Sequence, residues 1–197
     1  MDDLVKALSK YFKMPRGMDN LPVVAMPRTG RDTGRHQLAK AMYDFGCRSG
    51  IEIGVGGGKS AQMWCEAIPG LQLIGIDSYP GRASRHFSKA QKRAEQCGFQ
   101  LLRISSMEAV DKFEDESVDF VHIDGDHTFD FVMLDIIRWT PKVKKGGLVL
   151  CHDYCSLNSG GVVKAVDAYV HCHRIDPWYV TRDCNPVAFW QRGIERA

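Results

Sequence analysis

The residues best suited to chemistry fall in four short runs. Ile51-Glu52-Ile53-Gly54-Val55-Gly56-Gly57-Gly58-Lys59-Ser60 carries an apolar run into a glycine-rich turn that opens a helical pattern. Such a turn lets a ligand approach the backbone and meet the N–H groups of the helix. Asp77 closes a second apolar run, LQLIGID at 71–77. A carboxylate there offers several lone pairs and no donor, which suits the paired hydroxyls of a ribose. Ile123-Asp124-Gly125-Asp126-His127 and Cys151-His152-Asp153-Tyr154 end two further runs. Carboxylates and imidazoles gathered at strand ends can bind a divalent ion, position a hydroxyl or remove its proton.

Three ligands compete for the glycine turn. A dinucleotide fingerprint G-x-G-x-x-G is met by Gly54 and Gly56, but Lys59 stands at its third glycine. A phosphate-cradling P-loop is met at its end by Gly58-Lys59-Ser60, but its first glycine falls on Ile53. The pattern that remains is an acid followed by alternating glycines: Glu52, Gly54, Gly56 and Gly58.

The elements that must hold these residues alternate strand and helix, the mark of a sheet covered by helices on both faces. Strands are expected at 50–55, 71–77, 101–105, 118–124 and 148–154, with helices at 59–68, 83–97, 128–139 and 162–170 between or after them. A last pair, 178–183 and 187–192 around Asn185-Pro186, reads as antiparallel. The fold class is therefore α/β: a Rossmann-like, doubly wound, seven-stranded sheet, mostly parallel with an antiparallel C-terminal pair. In such a sheet the carboxyl ends of adjacent strands line one crevice, so Asp124, Asp126, His127, His152 and Asp153 are expected beside the glycine turn. His122 alternates with Val121 and Ile123 and reads as a packed core histidine. Residues 1–32 stand outside the alternation, as an amphipathic helix and a Pro/Gly/Arg-rich connection. They are open to roles as a lid, an oligomer contact or packing. The main domain spans 33–197.

The segment from Glu52 to Gly58 resembles motif I of the class I S-adenosylmethionine-dependent methyltransferases. The run HIDGDHTFDFVMLDIIRW with PKVKKGGLVLCHDY resembles a small-molecule subgroup related to the catechol and macrocin O-methyltransferases. The likeness covers about residues 35–192. It implies S-adenosylmethionine as cofactor, held by Glu52 at the ammonium group, by Gly54, Gly56 and Gly58 along the methionine part, by Asp77 at the ribose, and by Ser105, Ser106 and Met107 at the adenine, with Asp124 nearby. In metal-using relatives a divalent cation, Mg²⁺ or another, is held at positions that fall here on Asp124, His152 and Asp153. His152 departs from the pattern, because Mg²⁺ prefers oxygen and imidazole suits Zn, Mn or Fe. The general-base lysine of the catechol enzymes falls on His127, whose ordinary pKa near 6.5 suits a base at neutral pH. Asp124 and His127 are thus the expected catalytic pair. Asp126 is open to capping the helix that follows. A nicotinamide-dependent oxidoreductase and a non-catalytic binding protein remain as alternatives.

Composition sets the bounds. The chain has 197 residues, 44% hydrophobic and 25% charged, with net charge +2 and mean hydropathy −0.25. That is globular composition, against disorder or a coiled coil. No apolar run approaches the roughly 18 residues of a membrane span. The acidic start MDDLVKALSKYF lacks the basic region of a signal peptide, and seven cysteines include no CxxC pair. A soluble, cytoplasmic protein is expected. Cys151, Cys155, His171, Cys172 and His173 lack finger spacing and read as structural groups. The basic stretch with Arg82, Arg85, Lys89, Lys92 and Arg93, joined by Arg28, Arg31 and Arg35, suits an anionic small-molecule acceptor. Low net charge and the lack of a base-methylating motif argue against nucleic acid.

Overall fold

Apolar runs buried on both faces make a parallel sheet, and their pairing order decides where a ligand sits. The computed structural model describes residues 3–14, 22–27, 34–155 and 160–193. In chain order the elements are α1 (Asp3–Tyr11), β1 (Phe12–Lys13), β2 (Val23–Pro27), α2 (Gly34–Phe45), β3 (Ser49–Ile53), α3 (Lys59–Ala67), β4 (Gln72–Ile76), α4 (Phe87–Cys97) and β5 (Gln100–Leu102). There follow α5 (Ser106–Val110), β6 (Val118–Ile123), α6 (Phe129–Trp139), β7 (Val143–Cys151), α7 (Gly161–Cys172), β8 (Trp178–Thr181) and β9 (Ala188–Gln191). A 3₁₀ turn, Gly81–His86, leads into α4.

The sheet runs β1-β2-β8-β9-β7-β6-β3-β4-β5. The strand β3 pairs in parallel with β4 on one side and β6 on the other. The chain therefore leaves β3 in one direction and returns on its opposite side, which opens a crevice at the carboxyl ends of β3 and β6. The seven expected strands are present, with β9 antiparallel to both β7 and β8.

Two strands exceed the expectation, giving nine among the described residues rather than seven. Residues 23–27, read from sequence as connection, form β2, which pairs in parallel with β8, and β1 folds back on β2. The prolines and glycines around Val23-Val24-Ala25 masked a short run whose backbone gains its partners only from the far end of the chain. The fifth expected strand also starts earlier, at Val143. Gly146 and Gly147 lie inside β7, where the register against β6 shifts. A side chain at Gly147 would come within 2.5 Å of the Asp119 carbonyl oxygen.

Two apolar layers flank the sheet. Trp64, Leu38, Met42, Phe120, Leu150 and Phe189 belong to the layer under α1, α2, α3 and α4. Val132, Ile136, Trp139, Val149, Val166 and Trp190 belong to the layer under α5, α6 and α7. Trp64, Trp139 and Trp190 are essentially fully buried, and truncating a core tryptophan to alanine costs about 3–5 kcal/mol.

Away from the crevice, Asp119 staples three strands. Its Oδ2 accepts the Arg48 and Ser49 amides, both at 2.8 Å, and its Oδ1 accepts from Lys144 at 2.8 Å. Burial opposes ionisation of this carboxyl, but Lys144 and the two amides outweigh it and hold its pKa below the ordinary value. A depressed carboxylate contributes stability above its unfolded pKa, near 3.9, and loses it as pH falls through the lower folded value. Asp119→Ala should cost about 1–2 kcal/mol in denaturant titrations at neutral pH. The difference from wild type should shrink once the pH falls below about 4; a pH-independent difference would reject the electrostatic part.

Candidate active site

The turn after β3 is shaped by a close approach of backbones. The Gly54 amide donates to the Ile76 carbonyl, and the Asp124 amide to the Ile53 carbonyl. Gly54 has φ +84°, and a Cβ there would lie 2.1 Å from the Asp124 carbonyl oxygen. No side chain fits. The turn continues through Gly56 and Gly58, also at positive φ, into the first turn of α3. Asp77, just past β4, locks the turn in place. Its Oδ2 accepts the Gly56 amide at 2.8 Å and its Oδ1 the Tyr79 amide at 2.7 Å.

Across the crevice, the ends of β6 and β7 bring Asp124, His127, His152 and Asp153 together. His152 Nδ1 lies 2.9 Å from Asp124 Oδ1 and 3.4 Å from Asp153 Oδ1. His127 Nε2 lies 3.6 Å from Asp124 and 3.7 Å from Asp153. Burial opposes ionisation of Asp124, yet the two imidazoles outweigh it and hold its carboxyl well below the usual range. The Asp124 carboxylate in turn raises the His127 pKa against the opposing effect of burial. Asp153 has φ +54°, a conformation that aspartate tolerates better than most residues. Donor atoms of Asp124, His152 and Asp153 lie within 4.8 Å of one another, as do those of Glu52, His122 and Asp124.

Below this mouth runs a buried polar strip. Glu52 is fully enclosed, with Oε1 3.2 Å from His122 Nδ1. Burial pushes the Glu52 carboxyl up and the His122 imidazole down, the latter to about 4. The His122 ring meets Trp64 at 5.2 Å and His152 at 5.7 Å between centroids. Glu52 Oε2, Trp64 Nε1, His122 Nε2 and His152 Nε2 are buried without a hydrogen-bond partner among the described residues. Native proteins rarely bury polar atoms unpaired, so this strip is built to meet something polar. The expected packed His122 is thus packed, and it also touches the acid of the glycine turn.

Residues 51–154 match the family described as a methyltransferase domain. The chain belongs to this methyltransferase-domain family. Over 115 residues it is 30% identical to the uncharacterized protein y4gI of Sinorhizobium fredii, covering 52% of this chain and 13% of that protein. The chain therefore spans about an eighth of the length of that relative. Among solved structures, the O-methyltransferase from Bacillus cereus in complex with SAH superposes with TM-score 0.62 at 14% identity, over 98% of this chain and 91% of that one. The O-methyltransferase TomG from Streptomyces achromogenes, in complex with SAM, gives 0.59 at 16% identity, over 98% and 91%. At these identities the likeness is one of fold. The resemblance drawn from the glycine turn and the paired strand ends is borne out in family and in architecture.

Two residues of this methyltransferase domain, Asn185 and Asp135, escaped the sequence reading. Asn185, read as part of a turn, donates to Asp153 Oδ1 at 2.9 Å. Asp135 lies buried on α6 and accepts from Ser106 at 2.6 Å. Burial raises its pKa to about 6, against the effect of the Ser106 hydrogen bond. The signal for Asp135 was present, since the helical period puts an acid on the apolar face of VMLDIIRW. Ser105 caps α5 in a reciprocal pair with Glu108. Asp126 accepts the Thr128 amide at 2.7 Å and so shapes the entry to α6. Of the arginines proposed for an anion, Arg28 and Arg31 lie outside the described residues, and Arg82 and Arg85 are exposed on the 3₁₀ turn. Two are half-buried at the glycine turn: Arg35 donates to Ser60 Oγ at 3.1 Å, and Arg93 donates to the Gly57 carbonyl and to Gln62 Oε1.

The approach at Gly54 gives a test. Gly54→Ala should destabilise by more than about 2 kcal/mol, because it adds a clash to the positive-φ penalty. Gly70→Ala, at φ +77° with nothing within 4 Å of its Cβ, should cost only about 1 kcal/mol. Equal losses of melting temperature would mean that the backbones do not meet as described.

Proposed function

We propose that this domain transfers a methyl group from S-adenosylmethionine to a hydroxyl of a small molecule. The observation that carries this reading is the junction of a glycine turn, braced by Asp77, with the cluster Asp124–His127–His152–Asp153 across one crevice. S-adenosylmethionine supplies an electrophilic methyl on a sulfonium. The residues fit such a group: Gly54, Gly56 and Gly58 leave the backbone bare, and Glu52 Oε2 is a buried acceptor without a partner for an ammonium group. Asp77 keeps lone pairs for ribose hydroxyls. Ser106 and Met107 start α5 beside the end of β5, where an adenine would lie.

The chain's part in the reaction is alignment and proton removal. As the oxygen–carbon bond forms, the carbon–sulfur bond breaks and its electron pair stays on sulfur, so the sulfonium charge disappears and no oxyanion hole is needed. Holding acceptor and methyl in line is mainly an orientation effect. The acceptor hydroxyl is protonated at neutral pH and must lose its proton. His127 takes it, and the resulting imidazolium turns its Nε2 toward the Asp124 and Asp153 carboxylates.

A divalent cation is a second reading, favoured by the grouping of Asp124, His152 and Asp153. Two carboxylates and one imidazole suit Mn²⁺ or Zn²⁺ better than Mg²⁺. Bound there, the ion would lower the pKa of an acceptor hydroxyl. An anionic acceptor would meet Arg35, which is half-buried beside Ser60. No helix among the described residues is long and apolar enough to cross a membrane.

Two experiments test this function. Transfer of labelled methyl onto a panel of phenolic and alcoholic acceptors should fall about 10²–10⁴-fold in kcat in His127→Ala. S-adenosylhomocysteine affinity by calorimetry should stay within about twofold, and undiminished kcat would remove His127 from the base role. For the cation, Mn²⁺ or Zn²⁺ should raise Tm by a few degrees in wild type and not in Asp153→Asn. No shift with either ion would reject the metal reading.

A further inference from the structure

Large apolar side chains that stay exposed are few among the described residues. Four of the six, Phe129, Phe131, Leu134 and Ile137, lie on α6. Phe131 is 57% exposed and Ile137 50%. The inner side of α6 is accounted for by Val132, Asp135, Ile136 and Trp139, which face the sheet. By the helical period, the outer stripe consists of Asp130, Phe131, Leu134, Ile137 and Arg138. A helix apolar on both sides is normally an interior helix. Here its outer side is bare in a single copy of the chain, and a contiguous patch of that kind marks an interaction site.

The residue spacing says what covers it. The stripe is symmetric about Leu134: Phe131 and Ile137 stand three residues to either side, and Asp130 and Arg138 stand four. We propose that this face docks a second copy of the same chain, the two α6 helices crossing antiparallel about a two-fold axis beside Leu134. An isologous contact needs a self-complementary surface, and reversal about Leu134 supplies one. The row Phe131–Leu134–Ile137 packs on its own symmetry mate, and Asp130 meets Arg138 of the partner subunit at both ends. The row Asp130–Leu134–Arg138 has the i±4 spacing of the commonest helix crossings. Arg138 already donates to Asp111 at 2.6 Å, in a pair exposed on both sides. A guanidinium has five donors and can serve a second carboxylate as well. Charges of opposite sign at equal distances from an apolar centre suit a copy of the chain, whereas an unrelated partner sets no such condition.

Sedimentation velocity on the full chain over a concentration series tests the proposal, with circular dichroism to verify folding of each variant. Wild type should associate to a dimer, and Leu134→Glu should be monomeric. With Asp111→Asn carried in all charge variants to clear the neighbouring carboxylate, Asp130→Arg or Arg138→Asp alone should raise the dimer Kd at least about tenfold. The double exchange should bring it back to within about threefold of the Asp111→Asn parent. A wild type monomeric at about 100 μM, or a dimer indifferent to these changes, would overturn the proposal. So would a double exchange that fails to restore binding.

Discussion

The contact between Gly54 and the Asp124 backbone is the constraint on which the site depends. The turn after β3 and the end of β6 pass too close for any side chain between them, and the Asp124 amide is bonded to the Ile53 carbonyl. One wall of the crevice therefore cannot shift without the other. Asp77 adds a third strand to the same unit by accepting the Gly56 amide. In a reaction where most of the gain comes from geometry, small misplacements are costly, and a junction with no slack is a suitable foundation.

Charge is arranged in depth around that junction. At the mouth, Asp124 is held ionised by two histidines, and His127 is favoured as imidazolium by the same carboxylate. One layer down, Glu52 and His122 are driven toward their neutral forms by burial. An outer charged layer and an inner neutral one, joined by the ring contact of His122 with His152, let the crevice present ions to a ligand without burying unbalanced charge beneath it.

Much of this was legible in the sequence because it rests on local rules. The alternating strands and helices followed from apolar period and glycine punctuation, and the grouping of Asp124, His127, His152 and Asp153 followed from the rule that strand ends share a crevice. What was not legible depends on partners remote in sequence. β2 looks like loop because its ladder partner, β8, lies at 178–181. Asn185 looks like a turn residue until Asp153 comes within 2.9 Å. Gly146 and Gly147 precede the strand expected at 148–154, yet β7 runs through them past the Asp119 backbone. The Glu52–His122 pair is an intermediate case: both residues were noted, but their contact required the register of β3 against β6.

The pairing of β2 with β8 also orders events in time. Val23 aligns with Tyr179, so this strand finds its neighbour only when residues about 150 positions later have emerged. Until then its amides and carbonyls have no sheet to join, and the loop to be closed is among the longest in the chain. Extension of the sheet edge therefore carries one of the larger loop-closure costs in the fold. β2 adds to the edge that β8 offers, and β8 is itself carried on β7 by β9.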